Sequence, residues 1–103
     1  MKVEQMINTR GNGAMNQFVI TDGERIVFQS YKSTIIEIDN NKMIVKVYPD
    51  YNYSRTTGKH RNIFFSDYTR LTGLNTLKEL EKAMKAGEYH GYKIEKIEDI
   101  YWS

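Results

Sequence analysis

Between Asn16 and Tyr48 apolar residues recur at alternate positions in successive short runs, with Asp22-Gly23 and Asp39-Asn40-Asn41 marking two of the reversals. A period of two places alternate side chains on opposite faces of an extended chain, so this stretch is suited to a sheet and not to a helix. Phe18 and Ile20 alternate with Gln17, Val19 and Thr21, and Asp22-Gly23 then supplies a hairpin signal. The return strand, Glu24 to Tyr31, carries Ile26 and Phe28 on one side and Val27, Gln29 and Tyr31 on the other. Ser33 to Ile38 is a third strand, with Ile36 and Ile38 facing together, and Asp39-Asn40-Asn41 makes the next turn. In Lys42 to Tyr48, Met43, Val45 and Val47 alternate with Lys42, Lys46 and Tyr48, which predicts one buried and one wet face. Ile44 alone breaks the alternation and predicts partial cover on the outer side.

Pro49, the only proline, removes a ladder donor and ends this strand. A polar loop rich in tyrosine follows, from Asp50 to His60, and then Arg61-Asn62-Ile63-Phe64-Phe65 reads as a fifth strand. One helix is strongly signalled. Thr76 and Glu79 fit a capping box, Leu77, Leu80 and Met84 fall on one stripe, and Gly87 is a natural left-handed stop. The opening segment, through Thr9-Arg10-Gly11-Asn12-Gly13-Ala14, reads as a loop. At the other end, Tyr92 to Ile97 alternates weakly, whereas Ile94, Ile97 and Tyr101 fit helical spacing, so residues 92–103 are open between strand and helix. The expectation is an α+β fold in a single domain, residues 1–103. A twisted antiparallel sheet of about four to five strands is packed by one main helix, with a second short C-terminal helix as the alternative ending.

At 103 residues and without cysteine, the chain builds its core without disulfides, zinc ribbons or thiol chemistry. A mean hydropathy of −0.63 and the absence of a long apolar run exclude a membrane helix. Met1-Lys2-Val3-Glu4-Gln5-Met6 has no signal-peptide core, which predicts a cytoplasmic protein of a bacterial cell once the resemblance given below is added. Net charge is only +2, but it is unevenly spread. Between Tyr51 and Ser66 stand Arg55, Lys59, Arg61 and His60 with no acid, whereas Glu79 to Ser103 holds six acids against four lysines.

Catalytic signatures are missing. His60 and His90 lack the neighbouring ligands of a metal site, no G-x-S-x-G elbow occurs, and Glu95, Glu98 and Asp99 lie among lysines on a solvated stretch. Thr56-Thr57-Gly58-Lys59 has the look of a P-loop ending, but Tyr53 stands where the first glycine belongs and His60 where a magnesium-binding hydroxyl belongs. The expectation is therefore no enzyme, no cofactor and no metal.

Binding is a better fit. Tyr51, Tyr53, Arg55, Lys59, His60 and Arg61 interleave rings with bases, a composition enriched at protein interfaces and also suited to stacking and neutralising single-stranded nucleic acid. The alternative reading of the two tyrosines is that both rings fold back on the sheet.

The chain also resembles a family of small uncharacterised proteins of bacteriophages and prophages. The likeness rests on Asn16-Gln17-Phe18, Phe28-Gln29-Ser30-Tyr31, Ile35-Ile36 and the run from Tyr51-Asn52-Tyr53-Ser54-Arg55-Thr56-Thr57-Gly58 to Phe64. Lys85-Ala86-Gly87-Glu88-Tyr89 closes it, so that about residues 7–90 are covered. Tyr51, Asn52, His60 and Phe65 depart from the family's usual Trp, Asp, Tyr and Leu. The resemblance implies a phage or mobile-element accessory protein that binds a host protein, such as a CRISPR-type nuclease it inhibits, or else a nucleic-acid-binding regulator. It transfers no catalytic residue.

Overall fold

The computed structural model describes residues 1–7 and 13–98. It is an α+β fold in which one mixed sheet carries two helices on a single face. The strands are β1 (Lys2–Ile7), β2 (Gly13–Asp22), β3 (Arg25–Ser30), β4 (Ser33–Asp39), β5 (Ile44–Val47), β6 (Glu88–Tyr89) and β7 (Tyr92–Lys96). The helices are α1 (Arg55–Tyr68) and α2 (Leu77–Ala86), with short 3₁₀ turns at Pro49–Asn52 and Thr72–Leu74. Strand order is β1-β2-β3-β4-β5-β7-β6. The first five strands form an antiparallel meander, β7 runs parallel to β5, and β6 pairs antiparallel on the outer edge. A parallel neighbour needs a crossover, and the segment holding both helices supplies it.

The hairpins follow the turn chemistry, with one shift. Asp22 pairs with Arg25, so Gly23 and Glu24 are the central residues, and Gly23 takes the positive φ of 61° at the first of them. Asp39 Oδ1 accepts from the backbone N–H of Asn41 and Lys42 at 2.9 Å each, which shapes the turn before β5. His90 and Gly91, both with positive φ, close the β6–β7 hairpin.

Expectations about the strands need correction, and the ending left open between strand and helix is decided for residues 92–96. The sheet has seven strands and not four or five. β1 lies where the opening loop was expected to begin, because Met6 is fully buried while its neighbours alternate weakly in polarity. Residues 92–96 form β7, whose Ile94 lies beside Val45, so strand wins over helix there. The loop reading of residues 9–12 and the ending from Asp99 to Ser103 fall outside the described residues.

The largest correction is α1. Arg61 to Phe65 is not a fifth strand but the middle of a helix of 14 residues, so two helices and not one cover the sheet. Ser54 caps it by accepting from the Thr57 N–H at 3.1 Å. Its buried residues, Thr57, Gly58, His60, Arg61, Phe64 and Phe65, recur at helical spacing, but the first four are not apolar, so the stripe is invisible to hydropathy. α2 matches expectation: Thr76 Oγ1 accepts from the Glu79 N–H at 3.2 Å, and Gly87 stops it at φ 81°.

The core lies between the helices and the covered face of the sheet. Phe28 stacks on Phe64 with ring centroids 5.6 Å apart, and Phe64 meets Phe65 edge-on. Val19, Ile36, Ile38, Val45 and Val47 complete the floor, whereas Met43 sits in the turn and is 38% exposed rather than inward. Ile44 is half-buried on the open face, as its break in the alternation predicts. Val45→Ala is expected to destabilise the fold by about 1–3 kcal/mol, and Lys46→Ala, on the face opposite, to stay within about 0.5 kcal/mol of neutral. Chemical denaturation of both variants checks the inward face; equal losses would contradict it.

Candidate functional site

The six residues singled out in the sequence are divided by the start of α1 into an inward and an outward set. Arg61, 1% exposed, is turned inside. Its Nη1 donates to the Tyr51 carbonyl at 2.7 Å and to Asn52 Oδ1 at 3.4 Å, and its Nη2 donates to Asn62 Oδ1 at 2.9 Å. Burial pushes its pKa down, and the neighbouring Tyr51 and Glu81 offset part of that shift. Arg61 thus stitches the 3₁₀ turn to the helix. His60 is also buried, with Nδ1 2.8 Å from the Thr56 carbonyl, to which it donates. Tyr51 is half-buried against the core and donates its hydroxyl to Glu81 Oε2 at 2.8 Å, tying the turn to α2. The expectation that these three stand on the surface is corrected: the polar buried stripe of α1 carries His60 and Arg61 inward, and the 3₁₀ turn before it lays Tyr51 half-buried against the core.

Tyr53, Arg55 and Lys59 point the other way. Tyr53 is 79% exposed, and Arg55 and Lys59 are exposed one helical turn apart. Among the described residues no carboxylate lies within ion-pair distance of Arg55, Lys59 or Lys32. The first turn of α1 also contains no acid, so the positive end of the helix dipole and two cations share one corner.

Beside this corner is a cleft of about 670 Å³. Tyr31, Lys32, Asp50 and Tyr53 form its rim, with Ser30 and Thr57 among its lining residues. Ser30 Oγ and Thr57 Oγ1 are 3.4 Å apart, and Ser54 Oγ donates to Thr57 Oγ1 at 3.2 Å. Two residues at the cleft hold unusual backbone: Asn16 at φ 63° and Tyr31 at φ 56°, joined by a Tyr31 N–H to Asn16 carbonyl bond of 2.7 Å. A left-handed conformation costs a side chain such as tyrosine about 1–2 kcal/mol. The sequence gives no warning of this strain, because nothing but the pairing of Ser30 with Ser33 forces the tight turn.

The same corner collects other costs. The buried polar or charged residues are Gln17, Ser30, Thr57, His60 and Arg61. Gln17 lies opposite Ser30, Thr57 lies over Ser30, and His60 and Arg61 follow on the next turn of α1. Both amide atoms of Gln17, His60 Nε2 and Arg61 Nε have no hydrogen-bond partner among the described residues. No group of three or more metal-ligating side chains occurs among the described residues, and none of their helices is long and apolar enough to cross a membrane.

Comparison with known proteins agrees in extent with this arrangement. A family model described as a family of unknown function (DUF8033) matches residues 1–83, from β1 into α2. The chain belongs to the DUF8033 family. No curated protein and no solved structure matches it. The DUF8033 match takes in the whole cleft, the strained Tyr31 turn and α1, and stops before β6 and β7.

The hydroxyls of Tyr48 and Tyr51 give a direct check on this geometry. Burial raises both pKa values above the ordinary 10.0, and the acceptors Glu37 and Glu81 raise them further by holding the proton and repelling the phenolate. A raised folded-state pKa stabilises the fold fully below pH 10 and loses that contribution as pH climbs through the folded value. In an absorbance titration Tyr48 and Tyr51 are expected to ionise above the ordinary tyrosine value of 10.0, and Tyr51→Phe to remove one of these late steps. A titration of Tyr51→Phe indistinguishable from the parent above pH 10 would contradict the Glu81 contact.

Proposed function

We propose that this chain is a non-enzymatic binding factor, a phage or mobile-element accessory protein that docks an acidic surface of a host protein. The docking edge is Tyr53, Arg55 and Lys59, with Tyr31 and Lys32 across the cleft. One observation carries the reading: among the described residues none of these cations forms an ion pair, although Asp50 lines the same cleft, and Arg55 and Lys59 stand at a helix start that itself favours negative charge. Exposed tyrosines beside unpaired bases match the composition of interface anchors, and a concave neighbour offers a side chain somewhere to go. The resemblance to phage and prophage proteins makes a bacterial defence enzyme, of the CRISPR-nuclease kind, the first partner to test.

Arg55→Glu separates binding from folding, because its two effects have opposite signs. An acid at the first helical position is expected to raise stability by about 0.3–1 kcal/mol, while the reversed charge abolishes capture of the partner. A pull-down from the bacterial host with the parent and with Arg55→Glu/Lys59→Glu reads both. Loss of an associated host protein in the double variant supports the proposal. Equal capture by both overturns it, and salt-sensitive retention of short single-stranded DNA or RNA without any protein assigns the patch to nucleic acid instead.

A further inference from the structure

We propose that β1 pairs with β1 of a second copy, joining two sheets into one across a two-fold axis through Val3. This inference is independent of the cleft, which lies at another part of the molecule. β1 is an edge strand of six residues, whereas the opposite edge, β6, is only two residues long. A short edge offers little template for the addition of another strand, and a longer one offers more. Four of the seven exposed large apolar residues among those described lie on this side: Met1 is 90% exposed, Val3 58%, Ile7 55% and Met15 78%.

The occupant and its register follow from charge. The only charged residues of β1 are Lys2 and Glu4, two positions apart on the helix-bearing side, with Glu4 opposite Val19. A two-fold axis perpendicular to the sheet keeps every side chain on its own face, so some residue must meet its own counterpart. Centred on Lys2 or on Glu4, that register opposes like charges directly, which is unfavourable. Centres at Gln5 or beyond set no acid against Lys2, and Val3 alone sets Lys2 against Glu4 of the other copy, twice over, with Val3 against Val3. In the single chain Lys2 Nζ already lies 3.7 Å from Glu4 Oε1, with side chains 71% and 42% exposed, so both groups are free to exchange partners across the axis. On the open face Val3 lies opposite Ile20, which in turn lies opposite Val27. Pairing therefore doubles this apolar strip and covers its outer end. An edge lysine normally protects against strand addition; here the acid two residues away makes the edge complementary to itself.

The full chain is examined by sedimentation over about a hundredfold range of concentration, alongside variants. The parent is expected to show a concentration-dependent dimer. Lys2→Glu should weaken it roughly five- to thirtyfold, since two attractive pairs become repulsive, and Lys2→Glu/Glu4→Lys should restore it. Because the chain has no cysteine, Val3→Cys places a single thiol at the axis, where opposed Cα atoms stand about 4.5–5.5 Å apart and suit a disulfide. It should cross-link rapidly on mild oxidation. Ile7→Cys should not, because its counterpart is eight residues away along the paired strands, about 27 Å. A parent that stays monomeric throughout overturns the proposal. So does a dimer indifferent to Lys2→Glu, or one that cross-links through Ile7→Cys as readily as through Val3→Cys.

Discussion

Phe64→Ala is expected to destabilise the protein by about 3–5 kcal/mol, the range for removing a fully buried aromatic ring. Phe64 has no exposed surface, stacks on Phe28 at a centroid distance of 5.6 Å, and meets Phe65 edge-on at the same distance. Truncation removes burial, two ring contacts and the main tie between α1 and β3, and the neighbours are held by the sheet and cannot collapse into the gap. Ile63→Ala, next to it but half-buried, is expected to lose less than half as much. Urea denaturation with an unchanged m-value reads the difference. Comparable losses at both positions would contradict the helical placement of residues 61–65.

Arg61→Leu is expected to cost about 2–4 kcal/mol although it deletes a charge that burial disfavours. The reason is geometric. The guanidinium holds the Tyr51 carbonyl and the side chains of Asn52 and Asn62 at once, and an apolar replacement leaves a part-buried carbonyl without its donor. Arg61→Lys is expected to recover little, because a single ammonium cannot span three acceptors held by a planar fork. Arg55→Ala, by contrast, is expected to leave stability within about 0.5 kcal/mol. Full rescue by lysine would mean that attraction to Glu81, and not the fork, holds Arg61 in place.

The contrast between α2 and α1 explains what the sequence could and could not convey about the site. For α2, cap, apolar stripe and glycine stop all agree, so the helix is legible residue by residue. For α1 they do not. Gly58 and the β-branched Thr56 and Thr57 are poor helix formers, and the buried stripe opens with Thr57, His60 and Arg61, so its only apolar members form the run Ile63-Phe64-Phe65. One signal was present. Ser54 and Thr57 stand at N-cap spacing, and Arg61, Phe64, Phe65 and Tyr68 share one helical face counted from there. Misreading this helix as loop and strand is what placed Tyr51, His60 and Arg61 beside Tyr53, Arg55 and Lys59 on one expected surface.

The amino-acid sequence by itself determined the β2–β5 meander, the second helix with both its ends, and a base-rich segment without acids from Tyr51 to Ser66. These depend on period, turn chemistry and caps, which act over a few residues and are written locally. Only the tertiary structure decided that β1 and β7 extend the sheet, that Arg61 faces inward, and that Tyr31 and Tyr53 line one cleft. Each of those depends on which distant surface is available to pack or pair against. The side chain of Arg61 fits water or protein equally well until the carbonyl of Tyr51 is brought to its tip.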